Sequence, residues 1–585
     1  MVLEKYFCED RFLPSLIKNY RFRKHQADFS SKIFSLLEKY KNIIAEAPTG
    51  YGKTISYLIP IFELGRRTII STKTKQLMNQ ILLKDIPVVQ KIFLEKGLKV
   101  SNLLGRRNYF CHYRYSKFIQ PYRDIYPDVI DWVDKVIDNR IIVVNGLSFD
   151  NEVMNKITAD SYQCIAGKCP YFFQCSFYNA KDLANSSDIV VTNHHMLLAD
   201  IAMRVKFDGN YNFDFAEHIV FDEAHSIVDI FPTYLGEELN FYSLYNFVKE
   251  NRQFVGDGFY KYFTTQYRKL NDKLKNRTLI SSELEDECQN LVEEMDKVFA
   301  TSIPDEDYSV FERYKDTLSK VFKNDGIKIV ESYGDLFSLK NIPVRSSDYF
   351  SESLFKSCIS SLMISATITF NGSFDYVIKE LNLDGKCETI RLDPPENMIA
   401  QGKVYIHNEY NENFEDKKVF YLDFFSKKSG ATIIIFNSLT LMHEIGDLLS
   451  KCFPQRKVIF QNDDLQNIEI DDQTIIVGCS ILREGIDFGG KGIKYLIIDK
   501  LPFENISDIY VKAKIDYYEK NYGNAFLNYY LPRAVIFFKQ AIGRLIRNEN
   551  DSGYWIIMDG RIKSKNYGKY FLEVLKGAEE VEKFW

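Results

Sequence analysis

The stretch Glu46-Ala-Pro-Thr-Gly-Tyr-Gly-Lys-Thr54 constrains this chain more than any other. Asn42-Ile-Ile-Ala45 before it is apolar and short enough for a buried strand, and Ile55-Ser-Tyr-Leu-Ile-Pro-Ile-Phe62 after it continues as an apolar-faced helix. Strand, glycine loop and helix in that order form the context of a phosphate-binding loop. Gly50 and Gly52 lack a Cβ, so the backbone through Ala47, Pro48, Thr49 and Tyr51 can curl and aim N–H groups at phosphate oxygens. The helix N-terminus behind the loop adds positive potential. Lys53 is expected to reach the β and γ phosphates of a nucleotide, and Thr54 to ligate Mg2+. The competing reading is a glycine turn before a helix that happens to begin Lys-Thr, and Ala47 stands where the general pattern has glycine.

Glu217-His-Ile-Val-Phe-Asp-Glu-Ala-His225 is an apolar strand ending in two carboxylates. At the carboxyl edge of a parallel sheet, Asp222 can hold Mg2+ while Glu223 orients and deprotonates an attacking water. Acidic pairs also cap strands at solvent, but the upstream phosphate loop gives this pair a partner. In Arg23-Lys-His-Gln26, the Gln26 amide can read an adenine edge; a surface Gln at a helix start is the plainer alternative. Arg67-Thr-Ile-Ile-Ser-Thr72 reads as another strand, and Thr72 and Lys73 at its end suit a nucleic-acid phosphate.

At 585 residues the chain exceeds a single core, and domain sizes imply roughly three to five units. The 45% hydrophobic and 26% charged composition is that of an ordinary globular protein. No apolar run approaches the roughly eighteen residues of a membrane span, and Glu4, Lys5, Glu9, Asp10 and Arg11 interrupt any signal-peptide core. An intracellular, cytoplasmic protein with no membrane partner is expected, associated with the nucleoid if the source is prokaryotic. A net charge of -5 gives no global attraction to nucleic acid, so such binding needs local basic patches.

A second alternating set follows: Ala431–Phe436, Lys457–Phe460, Thr474–Val477, Tyr495–Ile498 and Tyr554–Met558, short apolar runs between helices that imply another doubly wound parallel sheet. Within it, Arg483-Glu-Gly-Ile-Asp487 follows a strand, and Gln540-Ala-Ile-Gly-Arg-Leu-Ile-Arg547 reads as a helix. Helical spacing would put Gln540, Arg544 and Arg547 on one face, where guanidiniums can stabilise charge on a γ-phosphate held by another domain. A solvated Arg-rich helix is the alternative.

Two stretches break the alternation. Residues 105–177 contain Cys111 and the crowded Cys164, Cys169 and Cys175, whereas Cys8, Cys288, Cys358, Cys387, Cys452 and Cys479 are scattered like buried small hydrophobes. Four thiolates suit an iron-sulfur cluster; structural zinc is possible, although zinc sites usually pair cysteines more closely, and unrelated buried cysteines are a third reading. Residues from about 231 to 344 read as helical and highly charged, and their basic run Tyr267–Arg277 is most simply a solvated face.

Taken in order, Arg23 and Gln26, Glu46–Thr54, Gly105-Arg-Arg-Asn-Tyr-Phe-Cys111, the cysteine triplet, Asp188–His195, Asp222–His225, Ser365-Ala-Thr367, Arg483–Asp487, Leu501-Pro-Phe503 and Gln540–Arg547 resemble the DinG and XPD type of iron-sulfur superfamily-2 DNA helicase. The C-x4-C-x5-C spacing and Ser-Ala-Thr are more similar to DinG, and Ala47 is usual in that family. The resemblance implies an α/β fold: two RecA-like doubly wound parallel-sheet domains, the first interrupted by an iron-sulfur insertion and a helical arch. Residues 1–104, 178–230 and 345–395 would form the first RecA-like domain, 105–177 the cluster domain, 231–344 the arch, and 396–585 the second RecA-like domain.

The implied cofactors are ATP, Mg2+ and a 4Fe-4S cluster held by Cys111, Cys164, Cys169 and Cys175. Arg23, Gln26, residues 47–54, Gly485 and Asp487 would surround ATP, with Thr54 and Asp222 on Mg2+. Lys53, Asp222, Glu223, Gln540, Arg544 and Arg547 would serve hydrolysis, and Thr72, Lys73, Arg106, Arg107 and Thr192 would face DNA. The expected activity is an ATP-dependent helicase or translocase, moving 5′ to 3′ on single-stranded DNA in repair or related metabolism. A monomer acting on single-stranded and forked or tailed DNA is expected, with no nuclease domain ahead of residue 20. Two other readings stay open: a DinG-like ATP-regulated nuclease, for which no second carboxylate cluster is seen, and a DNA-binding clamp with weak ATPase, against which Lys53, Glu223 and Arg544 speak.

Overall fold

The computed structural model describes residues 3–8, 12–17, 20–48, 50–206, 211–273, 278–279, 282–298, 305–323, 326–333, 336–392, 399–407, 413–463, 468–483, 492–546 and 551–582. Its strands, in chain order, begin with β1 (Ile43–Glu46), β2 (Thr68–Thr72), β3 (Val100–Asn102), β4 (Ile189–Asn193) and β5 (Ala216–Asp222). An inserted set follows: β6 (Glu237–Asn240), β7 (Thr278–Leu279), β8 (Ile327–Tyr333) and β9 (Leu336–Ile342). The remainder are β10 (Cys358–Ser365), β11 (Glu388–Arg391), β12 (Gly402–Ile406), β13 (Ala431–Ile435), β14 (Lys457–Phe460), β15 (Thr474–Gly478), β16 (Ile493–Ile498), β17 (Gly553–Ile557) and β18 (Glu579–Glu580).

Two seven-stranded sheets result, in the orders β11-β1-β10-β5-β2-β4-β3 and β14-β15-β13-β16-β17-β12-β18. All their pairings are parallel. β1, β2, β13 and β15 are buried at every position, as a sheet covered by helices on both faces requires. Along β13, Ile433 and Ile435 enter one apolar cluster and Ile434 another, because successive side chains leave opposite faces of a strand. This is the expected pair of RecA-like α/β domains. In the first sheet, register sets Glu46 opposite Ser365, Ile364 opposite Asp222, and Asp222 opposite Thr72, so distant motifs end along one carboxyl edge.

Both insertions leave that sheet intact. The segment expected to be a helical arch carries long helices and, in addition, an antiparallel sheet of order β6-β9-β8-β7 that the sequence reading did not place. Ile327-Lys-Ile-Val-Glu-Ser-Tyr333 has the two-residue period of a half-buried strand, which the surrounding density of charge hid. Phe231 and Leu235, placed at the start of the arch by sequence, pack in the first domain's core, and the insertion opens at β6. Residues 105–177 form short helices and turns around Phe110, Ile130, Val133 and Ile157. They are tied to the arch by Arg114–Glu250 at 3.1 Å, Lys117–Asp307 at 2.8 Å and the stacked rings of Tyr162 and Tyr314.

The helices that position the site are α1 (Lys24–Glu38), α2 (Lys53–Leu64), α3 (Ile227–Leu235), α4 (Asp375–Leu381), α5 (Ile509–Tyr522) and α6 (Leu531–Ile542). The two RecA-like domains meet through α4 against α5 and α3 against α6. Glu380 on α4 pairs with Lys514 on α5 at 3.1 Å and accepts a hydrogen bond from Tyr518. Arg533 on α6 bridges Asp229 on α3 at 2.7 Å and holds both oxygens of Glu504. The Glu380 and Lys514 side chains are only 3% and 4% exposed, so removing one partner strands a charge. Glu380→Ala is therefore expected to cost about 3 kcal/mol, seen as a lower thermal midpoint; an unchanged midpoint would show that this pair does not hold the domains. Among the described residues, no helix is long and apolar enough to cross a membrane.

Candidate nucleotide site and the cleft above it

The phosphate loop lies where β1 hands over to α2. Gly50 and Gly52 take φ values of 79° and 69°, the left-handed region that glycine enters without a Cβ clash. At Gly52 space adds a second requirement, since a Cβ would come within 2.3 Å of Gln26 Nε2. Gln26, on the first turn of α1, donates to the Gly52 carbonyl at 3.1 Å, and Arg23 donates to the Gly50 carbonyl at 2.6 Å. Gln26 Nε2 thus grips the loop backbone itself. Thr49 lies outside the described residues.

Lys53 opens α2 and sits between the two carboxylates at the end of β5. Its ammonium is 2.8 Å from Asp222 Oδ1 and also bonds Glu223 Oε1. Asp222 is pinned further by its own successor, Glu223 N–H at 2.9 Å, and by the Tyr57 hydroxyl at 3.2 Å. Tyr57 stands one turn after Lys53 on the same helix face, a signal that sequence could have offered. Burial pushes Asp222 upward beyond what Lys53 restores. Burial pushes Glu223 the same way, but Lys53 and His225 outweigh it and hold this carboxyl well below its usual range. Lys53 in turn is raised, the two carboxylates overcoming burial.

Glu223 has φ 61°, a costly backbone conformation for a residue with a Cβ, and such strain concentrates at functional sites. Its other oxygen lies 3.4 Å from His225 Nδ1 and 3.5 Å from Ser365 Oγ, while His225 and Ser365 pair at 2.8 Å. The end of β10 is thereby wired to the carboxylate that faces the loop.

In the second domain, α6 carries Gln540 directly after Lys539, which reaches Thr369 of the first domain. Gln540 is 7% exposed, and neither its amide oxygen nor its nitrogen has a hydrogen-bond partner. A buried amide without partners is costly, so this one is poised for a polar ligand. Sequence placed Gln540, Arg544 and Arg547 on one helix face; instead α6 stops at Ile542 and Gly543 caps it, leaving Arg544 in the following turn. Arg547, Gly485 and Asp487 lie outside the described residues. Tyr51 of the phosphate loop packs against the second domain's core, so loop and facing domain touch directly.

Residues 24–114 match the DEAD/DEAH box helicase family and residues 421–578 the family described as helicase C-terminal domain. The chain is 26% identical to the ATP-dependent DNA helicase YoaA of Haemophilus influenzae, over 97% of this chain and 95% of that protein. It is 24% identical to the 3′-5′ exonuclease DinG of Bacillus subtilis, over 97% of this chain and 71% of the relative. A solved XPD helicase superposes with a TM-score of 0.60 at 18% identity, covering 96% of this chain and all of that one. Together these matches support a DinG/XPD-type superfamily-2 helicase.

In this DinG/XPD-type helicase the residues expected to face DNA are distributed unevenly. Thr72 and Thr192 are fully buried; the Thr192 hydroxyl donates to the Leu103 carbonyl at 2.7 Å, whereas the Thr72 hydroxyl has no hydrogen-bond partner among the described residues. Lys73 is half-buried at the same edge. Arg106 lies over the Phe177 ring at 4.3 Å, and exposed Arg107 pairs with Asp160 at 2.8 Å.

The four cysteines of the helicase insertion come from separate turns. Cys111 and Cys175 precede short helices, and Cys164 and Cys169 flank a single 3-10 turn. None forms a disulfide. Burial pushes the Cys111 thiol to about 12 and raises Cys175; both feel Cys164, with Arg114 and Arg106 pulling them back. That donor set suits a soft metal cluster. Among the described residues, however, no group of three potential ligands stands close enough to hold a metal ion.

Proposed function

We propose that this helicase hydrolyses ATP to move along single-stranded DNA, 5′ to 3′, and to part the strands of forked or tailed duplexes as a monomer. The observation that carries the reading is Lys53 held between Asp222 and Glu223 at the edge of one RecA-like sheet, with the partnerless amide of Gln540 carried on α6 of the other domain. Mg2+ bound with ATP would neutralise phosphate charge, and Thr54 and Asp222 are the residues to hold it. ATP would draw Lys53 toward its phosphates, freeing Glu223 to accept a proton from water. Gln540 would gain the polar partner it lacks, with Arg544 beside it. Closure and reopening of the cleft would then change the grip on DNA, which is how such hydrolysis becomes movement.

Cys111, Cys164, Cys169 and Cys175 are proposed to hold a 4Fe-4S cluster. Such a cluster would cross-link the insertion rather than take part in ATP chemistry. The domain boundaries are proposed as 105–177 for the cluster region, 237–344 for the arch and 396–585 for the second RecA-like domain. A place in DNA repair or related nucleic-acid metabolism is proposed with this activity.

ATP turnover is expected to rise with single-stranded DNA and to fall as salt increases, because phosphate contacts through Lys73 and neighbouring basic groups release counterions. Steady-state hydrolysis with and without a DNA strand, run beside unwinding of 5′-tailed, 3′-tailed and forked duplexes, tests this. Turnover indifferent to DNA, in protein with normal basal hydrolysis, would favour the clamp.

A further inference from the structure

Helix α6 reaches the first domain a second time, one residue before Gln540. Lys539 Nζ donates to the Thr369 carbonyl at 2.8 Å and to Thr369 Oγ1 at 3.0 Å, and lies 3.7 Å from Glu46 Oε1. Glu46 is the last residue of β1, immediately before the phosphate loop, and is 6% exposed. Its Oε2 accepts the backbone N–H groups of Ile368 at 2.7 Å and Thr369 at 2.8 Å, and its Oε1 accepts the Thr369 hydroxyl at 2.6 Å. Arg391 stands on the other side of the same carboxylate, 3.7 Å away.

Three pieces of machinery therefore meet at one carboxylate: the base of the phosphate loop, the turn that follows Ser365-Ala-Thr367, and the helix that carries Gln540. Adhesion between the domains does not need this junction, since Glu380–Lys514 and Arg533–Asp229 already supply it. A buried carboxylate persists only when its hydrogen-bonding capacity is filled; Glu46 fills it with Ile368 and Thr369 of its own domain, and Lys539 of the other domain adds its charge at 3.7 Å. Any shift of the loop base is thus felt at Lys539 and, through one peptide unit, at Gln540.

We propose that Lys539 is a positioning residue: through Glu46 and Thr369 it fixes the end of α6 relative to the phosphate loop, setting Gln540 in register with the bound nucleotide. This rests on the ATP-driven reading above. Misplacing a catalytic side chain by a fraction of its own length costs turnover more than it costs binding, because the loop's own contacts to ATP remain.

The test is steady-state ATPase of the full chain at saturating single-stranded DNA. Lys539→Met is expected to lower kcat about tenfold while ATP KM stays within about twofold and the thermal midpoint holds. Lys539→Arg, which keeps the charge and the donor, should recover at least about half of the loss. Thr369→Val should lower kcat alone yet add little in the Lys539→Met background, the signature of residues acting as one unit. A kcat within about twofold of wild type for Lys539→Met, or a joint change in kcat, KM and midpoint, overturns the proposal. Wild-type protein without ATP hydrolysis overturns the helicase reading and this junction with it; normal wild-type turnover beside an indifferent Lys539→Met overturns the junction alone.

Discussion

Glu223→Gln should leave ATP binding close to wild type while hydrolysis falls by about a hundredfold or more, the usual loss when a positioned general base is removed. The substitution keeps the side chain's size and its contacts to His225 and Ser365, so the loop and β5 should be undisturbed. What disappears is the one carboxylate that Lys53 and His225 hold ionised at this edge. Lys53→Ala behaves differently, because the ammonium that would meet the phosphates is lost and nucleotide binding weakens along with turnover. Fluorescent-nucleotide titration beside a phosphate-release assay separates the two. Near-normal turnover in the Gln variant would remove Glu223 from the role of base.

Cys164→Ser should remove protein-bound iron and the brown sulfur-to-iron absorbance, abolish unwinding, and spare part of the DNA-independent ATPase. The loop that carries Cys164 is packed on the arch: Ile165 enters the arch core, and Arg313 of the arch donates to the Cys164 carbonyl at 3.1 Å. Losing one of four thiolates would release a cluster and, with it, the order that the cluster imposes on this junction. Ile165 beside Cys164 packs in the arch core, whereas Ile55 and Ala224 beside Lys53 and Glu223 pack in the first RecA-like core, so part of the ATP edge should survive. Anaerobically purified wild-type protein with stoichiometric zinc and no iron would sink the cluster assignment. A cluster-free variant that unwinds normally would sink only its role in strand separation.

The ATP edge was legible from sequence because each motif is a local pattern at the end of a buried strand, and parallel sheets gather such ends without further instruction. The second sheet was legible for the same reason: β13, β14, β15, β16 and β17 fall on the apolar runs. Gln540 and Arg544 were read onto one face because helical spacing assumes a continuous helix, whereas α6 ends at Ile542 and tightens into turns that bond Arg544 N–H to Ala541 and Leu545 N–H to Ile542. The arch sheet was missed because its strands lie among highly charged helices and pair only as antiparallel neighbours within the insertion. Lys539 carried no local signal, and the motifs that contain Glu46 and Ser365 did not show which other elements these side chains meet. Their importance comes from β1 pairing with β10 and from one domain leaning on the other, facts written in topology rather than in spacing.

The strand order of the first sheet also bears on biosynthesis. β2, β3, β4 and β5 can pair with one another soon after they leave the ribosome, but β1 pairs only with β10 and β11. The phosphate loop is therefore mounted on a strand with no ladder to join until the arch has been translated and Cys358–Ser365 has emerged. Through that interval both β1 and the exposed side of β5 present open hydrogen-bonding edges, which invite pairing with other chains. A nascent helicase of this design is most prone to aggregation before its first domain closes, and factors that shield the emerging chain would have their largest effect there.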